Sequence, residues 1–158
     1  AVFAAYAATS QTIGSGAMDH ADAVGGPATL TMRTLTIAPG EVLGWHHHPG
    51  TGAYTVVVSG TLVIEDGCGS ETTYTQGQAF LEPPGRVHRG KNLTAAAVVT
   101  AQTFLVPQGT PLSVAHAQRA CGVPQRVDEC KDDGWRAFDF PGYFISQGQC
   151  IEYVLSNA

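Results

Sequence analysis

The sequence has few charged residues and lacks the motifs that identify several common enzyme classes. Only 13% of its 158 residues are Asp, Glu, Lys or Arg, about half the usual share. It contains no GxSxG, Walker, HExxH or Rossmann glycine pattern. It also lacks an apolar run of about 18 residues, the length of a membrane-spanning helix. The net charge of −5 argues against nucleic-acid binding, which requires a basic surface.

Glycine and proline are abundant, with 19 and 9 residues, and 44% of the chain is hydrophobic, enough for a sizeable core. These values suggest one turn-rich β domain. Short β-type runs bounded by Gly, Pro or Asn cover residues 30–37, 54–58, 61–64, 72–74, 78–81, 87–89 and 95–106. Strands this short, with turns this frequent, predict a sandwich or a barrel. Residues 112–120 are predicted as one short helix.

The cysteine count is small and even. Cys68, Cys121, Cys130 and Cys150 form no CxxC motif, which favours two disulfides and an oxidising compartment. The alternative is four reduced, buried thiols in a cytosolic protein. The opening residues, AVFAAYAATS, are too short and lack the basic leader of a signal peptide. We therefore expect a mature, processed start and a secreted, extracellular or periplasmic protein, although an arbitrary boundary would look the same.

A first histidine motif lies between two glycines, Gly40 and Gly60. It contains His46 and His48, separated by one residue. On a strand, residues i and i+2 point to the same face. His46 and His48 are therefore expected to point the same way, and His47 to point to the opposite face.

A second motif runs from Gly77 through Pro83, Gly85 and His88 to Asn92. The turn at Pro83 and Gly85 is expected to bring His88 across to the first pair of histidines. Asn92 also begins an Asn-x-Thr glycosylation motif. Its position at a strand end favours a structural role instead.

Together the motifs predict a metal site formed by His46, His48 and His88; the alternative is three unrelated histidines. Three protein ligands leave coordination positions open, which is typical of a catalytic or ligand-binding metal ion. An all-imidazole site suits zinc, copper, nickel and iron, and the Irving–Williams order favours copper where copper is available. We predict copper first, zinc second, and iron or manganese third.

The two motifs resemble the two signature motifs of the cupins. The match runs from residue 40 to 92, and flanking strands extend it to about residues 25–110. The resemblance implies an all-β fold: a double-stranded β-helix, or jelly-roll barrel, with the metal inside one end. We expect residues 1–120 to form this domain and residues 121–158 to form a short disulfide-closed appendage packed on it.

One position departs from the cupin pattern. The family usually carries a metal-binding Glu seven residues before the closing glycine, and this chain has Ala53 there, between Gly52 and Tyr54. The fourth protein ligand of the family is therefore missing from that position. Its absence weakens the case for manganese and iron(II), which favour a hard anionic ligand.

Four other residues are candidates for a supporting role around the metal: Glu82, Tyr54, Gln102 and His47. Glu82 precedes Pro83, where the family commonly has an aliphatic residue, so it is a replacement acid, base or ligand, or else a solvated rim residue. Tyr54 lies beside the missing Glu, although as a strand residue a core position is favoured. Gln102 belongs to a late strand that could reach the pocket.

The segment from Cys121 onward contains three of the four cysteines and many aromatic residues. It resembles a disulfide-closed tail found at the ends of other secreted bacterial proteins. We expect Cys130 to pair with Cys150, and Cys68 to pair with Cys121 and tie the tail to the barrel. Its aromatic residues either pack this small module or form a sugar-stacking platform: Trp135, Phe138, Phe140, Tyr143 and Phe144.

The first functional hypothesis is an enzyme, a copper-dependent oxidoreductase acting with O2 or peroxide on an extracellular carbohydrate or polysaccharide. It rests on the expected compartment and on similarity to extracellular metal-binding cupins. The alternatives are a non-catalytic cupin that binds a metal or small ligand, and a zinc- or iron-dependent isomerase, lyase, hydrolase or dioxygenase. Cupins commonly dimerise, and the apolar run Val2 to Ala8 is the predicted exchanged strand.

Overall fold

Alternation of buried and exposed residues along the chain produces two antiparallel sheets of five strands each. The computed structural model describes residues 8–119, 121, 123–124, 126–132, 134–138 and 144–157, with backbone only at 136 and 137. The strands are β1 Thr9–Ala21, β2 Gly26–Ile37, β3 His46–His47, β4 Ala53–Ser59, β5 Thr61–Asp66, β6 Glu71–Thr75, β7 Ala79–Glu82, β8 His88–Lys91, β9 Val98–Pro107 and β10 Val114–Ala115. Short 3₁₀ helices span Asp22–Val24, Val127–Cys130 and Gly134–Ala137, and helix α1 spans Gln147–Ser156.

The first sheet has the strand order β1-β2-β9-β4-β7, and the second has the order β10-β3-β8-β5-β6. An apolar cluster joins them, because Ile37, Val57 and Val98 of the first sheet pack with Leu62 of the second. This architecture confirms the predicted all-β jelly-roll fold. Strand β9 is buried at every second residue, so one of its faces lines the interior along its whole length.

The inward face of β9 changes character along the strand. Val98 belongs to the apolar cluster between the sheets, while Phe104 and Val106 belong to a second apolar cluster with Ala53. Between these clusters, Thr100 and Gln102 are polar and almost fully buried. A polar band therefore crosses the interior between two apolar regions, and the candidate site lies in this band.

The prediction of a helix at residues 112–120 is wrong for the described residues 112–119. They contain the short strand β10, in which Val114 lies opposite His47 and Ala115 opposite His46. Pairing with β3 satisfies backbone groups that a helix would have satisfied internally, so tertiary context overrides local propensity. Strand β1 and helix α1 were not predicted. The proposed exchange strand Val2 to Ala8 lies, except for Ala8, outside the described residues.

Both predicted disulfides are present. Cys68 in the β5–β6 turn is bonded to Cys121, and Cys130 is bonded to Cys150. The second bridge lies in a small core with Phe138, Phe144 and Val154, against which Trp135 packs. These aromatic side chains therefore pack the tail; Phe140 and Tyr143 lie outside the described residues. Among the described residues, no helix has the length and hydrophobicity needed to cross a membrane.

Asn92 fastens the end of β8 to two other segments. Its side chain is fully buried. Nδ2 lies 3.1 Å from the carbonyl oxygen of Ile37, 3.0 Å from that of Ala38 and 2.7 Å from that of Ala96. Oδ1 accepts from the backbone N–H and the hydroxyl of Thr94. The second motif therefore ends in a structural asparagine, whose amide is inaccessible to glycosylation in the folded protein.

Replacing Asn92 with Ala should destabilise the protein. Asn92→Ala leaves buried carbonyl groups without a donor, and we expect the free energy of unfolding to fall by about 2–3 kcal/mol. Urea denaturation would measure the change. The control is Leu93→Ala, since Leu93 is 61% exposed and its loss should cost less than about 0.5 kcal/mol. Equal stabilities of the two variants would contradict the structural role.

A cluster of charged residues on the second sheet holds β8, the strand that carries His88. The carboxylate of Glu65 on β5 accepts from Arg89 Nε at 2.8 Å and pairs with Lys91 Nζ. Lys91 also pairs with Glu71 of β6 at 2.5 Å. The hydrogen bond from Lys91, followed by that from Arg89, lowers the pKa of Glu65 from its ordinary value. Charged contacts therefore link three neighbouring strands.

The stabilisation by Glu65 should depend on pH. Because the folded state lowers the pKa of Glu65, its contribution is complete above the ordinary value of 4.5 and is lost as the pH falls through the lower folded value. Glu65→Gln should therefore be less stable than the native protein at about pH 7, and the difference should shrink toward about pH 3. Urea denaturation at several pH values in this range measures the difference in stability. The control is Glu71→Gln, since the side chain of Glu71 is more exposed than that of Glu65. A difference that stays constant with pH would contradict the assignment.

Candidate metal centre

Strand pairing brings the three motif histidines together. His46 opens β3 and lies directly opposite His88, the first residue of β8. His48 follows β3 and, two residues from His46, points to the same side. The centre of the His46 ring lies 4.9 Å from that of the His48 ring and 4.6 Å from that of the His88 ring. The two-residue spacing of His46 and His48, together with the pairing of β3 with β8, therefore gathers the three imidazoles into one group.

Glu82, the last residue of β7, completes a group of four. One ligand atom from each of His46, His48, Glu82 and His88 lies within 4.8 Å of the others. Two ligands on opposite sides of an ion, each bound at about 2.1 Å, would be about 4.2 Å apart, so small side-chain rotations would bring all four into range. His48, Glu82 and His88 are at most 5% exposed, and His46 is half-buried. The donor set fits one divalent transition metal ion.

Backbone carbonyls orient all three imidazoles. The Nδ1 atoms of His46, His48 and His88 lie 2.8–2.9 Å from carbonyl oxygens of residues 44, 112 and 86. An Nδ1–H donated to a carbonyl leaves Nε2 to face the site, an arrangement common among metal-binding histidines. Leu112, which accepts from His48, lies in the segment before β10. The segment that was predicted as a helix therefore helps to position a candidate ligand.

The carboxylate of Glu82 lies between two of the histidines. Its Oε2 is 2.7 Å from His88 Nε2 and 3.2 Å from His48 Nε2. Burial by itself would raise the pKa of Glu82, but hydrogen bonds and charge from His48 and His88 lower it well below the ordinary value. Burial likewise opposes protonation of His88, yet the contact with Glu82 raises its pKa. Glu82 is therefore an anion at neutral pH.

His46 has a strongly lowered pKa. Burial, followed by the charge of His88, lowers the pKa of His46 to about 4. Its imidazole is therefore neutral at physiological pH, with a lone pair available to a metal ion.

Glu82 lies directly across the strand pair from the position where the cupin Glu is missing. In the pairing of β4 with β7, Ala53 is opposite Glu82. Ala53 is fully buried, and its methyl group leaves room for a carboxylate from the neighbouring strand. The preceding Gly52 has a φ of +81°, and a Cβ there would lie 2.2 Å from the carbonyl oxygen of Glu82. Glycine at 52 thus permits the close approach of the two chain segments.

The other carboxylate oxygen of Glu82 is held by two polar side chains of the first sheet. Thr55 Oγ1 donates to Oε1 at 2.5 Å, and Gln102 Nε2 donates to the same atom at 3.0 Å. Arg33 Nε in turn donates to Gln102 Oε1 at 2.9 Å. This network leaves Oε2 facing the histidines. Sequence analysis identified Glu82 and Gln102 but missed Thr55 and Arg33; the position of Thr55 two residues after Ala53 was the available signal.

Two candidates lie away from the cluster. Tyr54 is 56% exposed and follows Ala53 on β4, so strand alternation turns its side chain to the outer face. Tyr54 therefore lies neither beside the candidate metal ligands nor in the core, so the predicted supporting role and the predicted core position are both wrong. His47 also lies on the opposite face from His46, and its Nδ1 is 2.6 Å from His116 Nε2.

Two cavities border the four-residue cluster; the larger is called the outer cavity and the smaller the inner cavity. The outer cavity, about 440 Å³, reaches Glu82 and His88 and is walled by Tyr74, Phe80 and Arg86 among others. The inner cavity, about 170 Å³, reaches Glu82 and His46 and is walled on one side by polar residues of β2 and β9. A small molecule in either cavity would lie beside the candidate metal ligands.

Comparison with known proteins supports the predicted family. No curated protein matches this chain. Residues 33–104 match the family model of the cupin domain. This segment contains both histidine motifs, which run from Gly40 to Asn92.

Among solved structures, an uncharacterised double-stranded β-helix protein from Klebsiella pneumoniae subsp. pneumoniae MGH 78578 is 22% identical, with a TM-score of 0.48 over 56% of this chain and 76% of that chain. The cupin domain of an XRE family transcriptional regulator from Enterobacter cloacae is 15% identical, with a TM-score of 0.47 over 64% and 97%. Oxalate decarboxylase from Lactobacillus farciminis is 16% identical, with a TM-score of 0.48 over 54% and 26%. The match of residues 33–104 to the family model, together with the two motifs within it, shows a cupin domain in this part of the chain.

Proposed function

We propose that this protein is a secreted, mononuclear metalloenzyme that acts on a small molecule bound beside its metal ion. His46, His48, His88 and Glu82 are the proposed ligands. The observation that carries the proposal is the convergence of three imidazoles and one buried carboxylate within 4.8 Å, next to two cavities. When bound, the metal would supply a Lewis acid or a redox centre.

The protein side chains have distinct roles in this proposal. The carbonyl contacts of the three histidines keep their Nε2 atoms directed into the site. Thr55 and Gln102 hold one oxygen of Glu82, so that the other oxygen is available as a ligand. Four protein ligands would leave positions open in a five- or six-coordinate site. The inner and outer cavities would deliver a small molecule to those positions.

The presence of Glu82 changes the argument about the metal. The preference for copper, then zinc, then iron or manganese rested on a site without a carboxylate. With Glu82 in the cluster, a hard anionic oxygen accompanies three imidazoles, which restores the case for iron and manganese. A copper-dependent oxidoreductase acting with O2 or peroxide stays a prediction within this broader proposal.

The size of the cavities supports a small substrate in preference to a polysaccharide. The cluster lies inside the barrel, with three of its four side chains at most 5% exposed, and the two cavities described beside it have volumes of about 170 and 440 Å³. A polymer could present a chain end but could not lie across the site. Two disulfides are typical of an oxidising compartment and support secretion. Dimer formation stays a prediction.

A non-catalytic cupin that binds a metal ion is the second candidate. It is favoured by the burial of the cluster and by the capacity of Glu82 to complete a four-ligand set without a substrate. A zinc-dependent acid–base enzyme, by contrast, would need Glu82 free to exchange protons, whereas in this proposal Thr55 and Gln102 hold one of its oxygens and the metal ion takes the other.

Moving the carboxylate across the strand pair should test whether Glu82 is a ligand. Glu82→Gln keeps the shape but removes the anion, and we expect metal affinity to fall at least about 10-fold. The double variant Ala53→Glu/Glu82→Ala returns a carboxylate from the opposite strand and should recover part of that loss. Affinity is measured by competition with a coloured chelator.

The control for this exchange is Glu152→Gln, which removes an exposed carboxylate on α1, outside the cluster, and should leave metal affinity unchanged. Circular dichroism establishes that each variant is folded. Native affinity in folded Glu82→Gln would show that Glu82 is not a ligand.

Elemental analysis of protein purified without added metal, combined with EPR after copper loading, should identify the metal. We expect one transition metal ion per chain. His46→Ala and His88→Ala should lose it while remaining folded, because the apolar clusters between the sheets do not include these residues. A copper ion with a mononuclear type 2 spectrum would support oxidative chemistry, whereas zinc would direct attention to non-redox chemistry. Unfolding of both variants would show a structural metal and contradict the proposal.

A further inference from the structure

The inner cavity has a cationic group in its wall, and the network around Glu82 uses only one of its donors. Arg33 on β2 lies opposite Gln102 on β9, and both side chains line this cavity together with His46 and Glu82. The Arg33 guanidinium lies 4.8 Å from the centre of the Phe104 ring, which fixes one face of its plane. The group therefore has a defined position inside the barrel, between the polar band and the candidate metal ligands.

Most hydrogen-bond donors of Arg33 are not used by the contact with Gln102. Its Nε donates to Gln102, which leaves the four N–H groups of the two terminal nitrogens. Among the described residues, no carboxylate lies within 4.0 Å of its guanidinium; the described ion pairs involve other cations. Burial lowers the pKa of Arg33, but an arginine side chain stays protonated in proteins. The charge of Glu82, which is linked to Arg33 through Gln102, opposes that lowering. No described carboxylate contacts the terminal nitrogens directly, and a partly buried cation with unpaired donors fits a site that receives an anion.

Thr100 provides a second, independent observation. Its side chain is 1% exposed, and its hydroxyl has no hydrogen-bond partner among the described residues. Thr100 also lines the inner cavity. A buried hydroxyl without a partner destabilises the folded protein. A ligand in the cavity that accepts a hydrogen bond would remove this cost.

The rest of the wall limits the size and shape of the ligand. Leu35, Ile37, Leu43 and Leu62 contribute an apolar surface. A cavity of about 170 Å³ is smaller than the roughly 300–1,000 Å³ of pockets that hold drug-sized ligands. A short acid with a few carbon atoms fits this volume, whereas a sugar ring with its hydroxyl groups does not suit the apolar side.

We propose that the inner cavity binds a small organic carboxylate, with the carboxylate paired to the terminal nitrogens of Arg33 and hydrogen-bonded by the Thr100 hydroxyl. A planar guanidinium matches the two oxygens of a carboxylate, which makes arginine selective for this group. The other end of the acid points toward His46 and Glu82. That last element rests on the proposed function, and it makes the acid the substrate, or the ligand, of the metal centre.

The test compares propanoate with propanamide, which have the same number of non-hydrogen atoms and differ in charge. Binding is followed by ¹H–¹⁵N NMR titration in both metal-free and metal-loaded protein. We expect propanoate to bind at least about 10-fold more tightly than propanamide, because only the acid forms a charge-assisted pair. The largest shifts should map to β2 and β9 beside Arg33 and Thr100.

Three variants locate the acid. Arg33→Gln should abolish the preference for propanoate, and Thr100→Val should weaken propanoate binding while leaving thermal stability equal or higher. Arg86→Gln, in the wall of the outer cavity, is the matched control and should bind propanoate as the native protein does. Equal affinity for acid and amide, native binding by folded Arg33→Gln, or loss of binding only in Arg86→Gln would each overturn the proposal.

The two proposals can fail separately in this experiment. Arginine-dependent binding of propanoate by a protein that takes up no metal would support the acid site and contradict the metalloenzyme. Stoichiometric metal with no preference for propanoate over propanamide would contradict the acid site and leave the metal centre intact.

Discussion

The arrangement of the interior depends on one buried carboxylate. Glu82 is 5% exposed, and an anion at such a depth is tolerated only when its oxygens are hydrogen-bonded or paired with cations. Here His48 and His88 approach one oxygen, while Thr55 and Gln102 donate to the other. These contacts connect both sheets through a single side chain. The raised pKa of His88 and the orientation of Gln102 follow from its charge.

The barrel supplies the rigid frame that this polar centre requires. Apolar clusters lie on both sides of the polar band of β9, so the strands retain their register without help from the site. Asn92 fixes the end of β8 through buried backbone contacts, and the Glu65 carboxylate holds the same strand from the outer face. A functional site on strands supported in this way can keep its side chains close to the geometry that binding requires.

The interior combines an anion and a cation without joining them directly. Gln102 lies between Arg33 and Glu82, accepting from the first and donating to the second. An amide can do both at once, because it carries an acceptor oxygen and a donor nitrogen. Gln102 thereby links the Arg33 guanidinium to the cluster, while Glu82 does not pair with the guanidinium directly. This separation is what leaves the inner cavity with a cationic wall.

Sequence alone predicted the all-β fold and the convergence of His46, His48 and His88, because the alternation of residues along a strand and the turns formed by glycine and proline are local properties of the chain. The role of these histidines as metal ligands stays a prediction. The sequence also identified the cysteine pairs through a resemblance, and it marked Glu82 and Gln102 as candidates. It could not place Tyr54, which alternation turns outward, or detect strand β10 in residues predicted as a helix. The register that sets Ala53 opposite Glu82, and the pairing that brings Arg33, Thr55 and Gln102 together, were decided only by the tertiary structure, because such contacts join residues far apart in the chain and depend on how whole strands align.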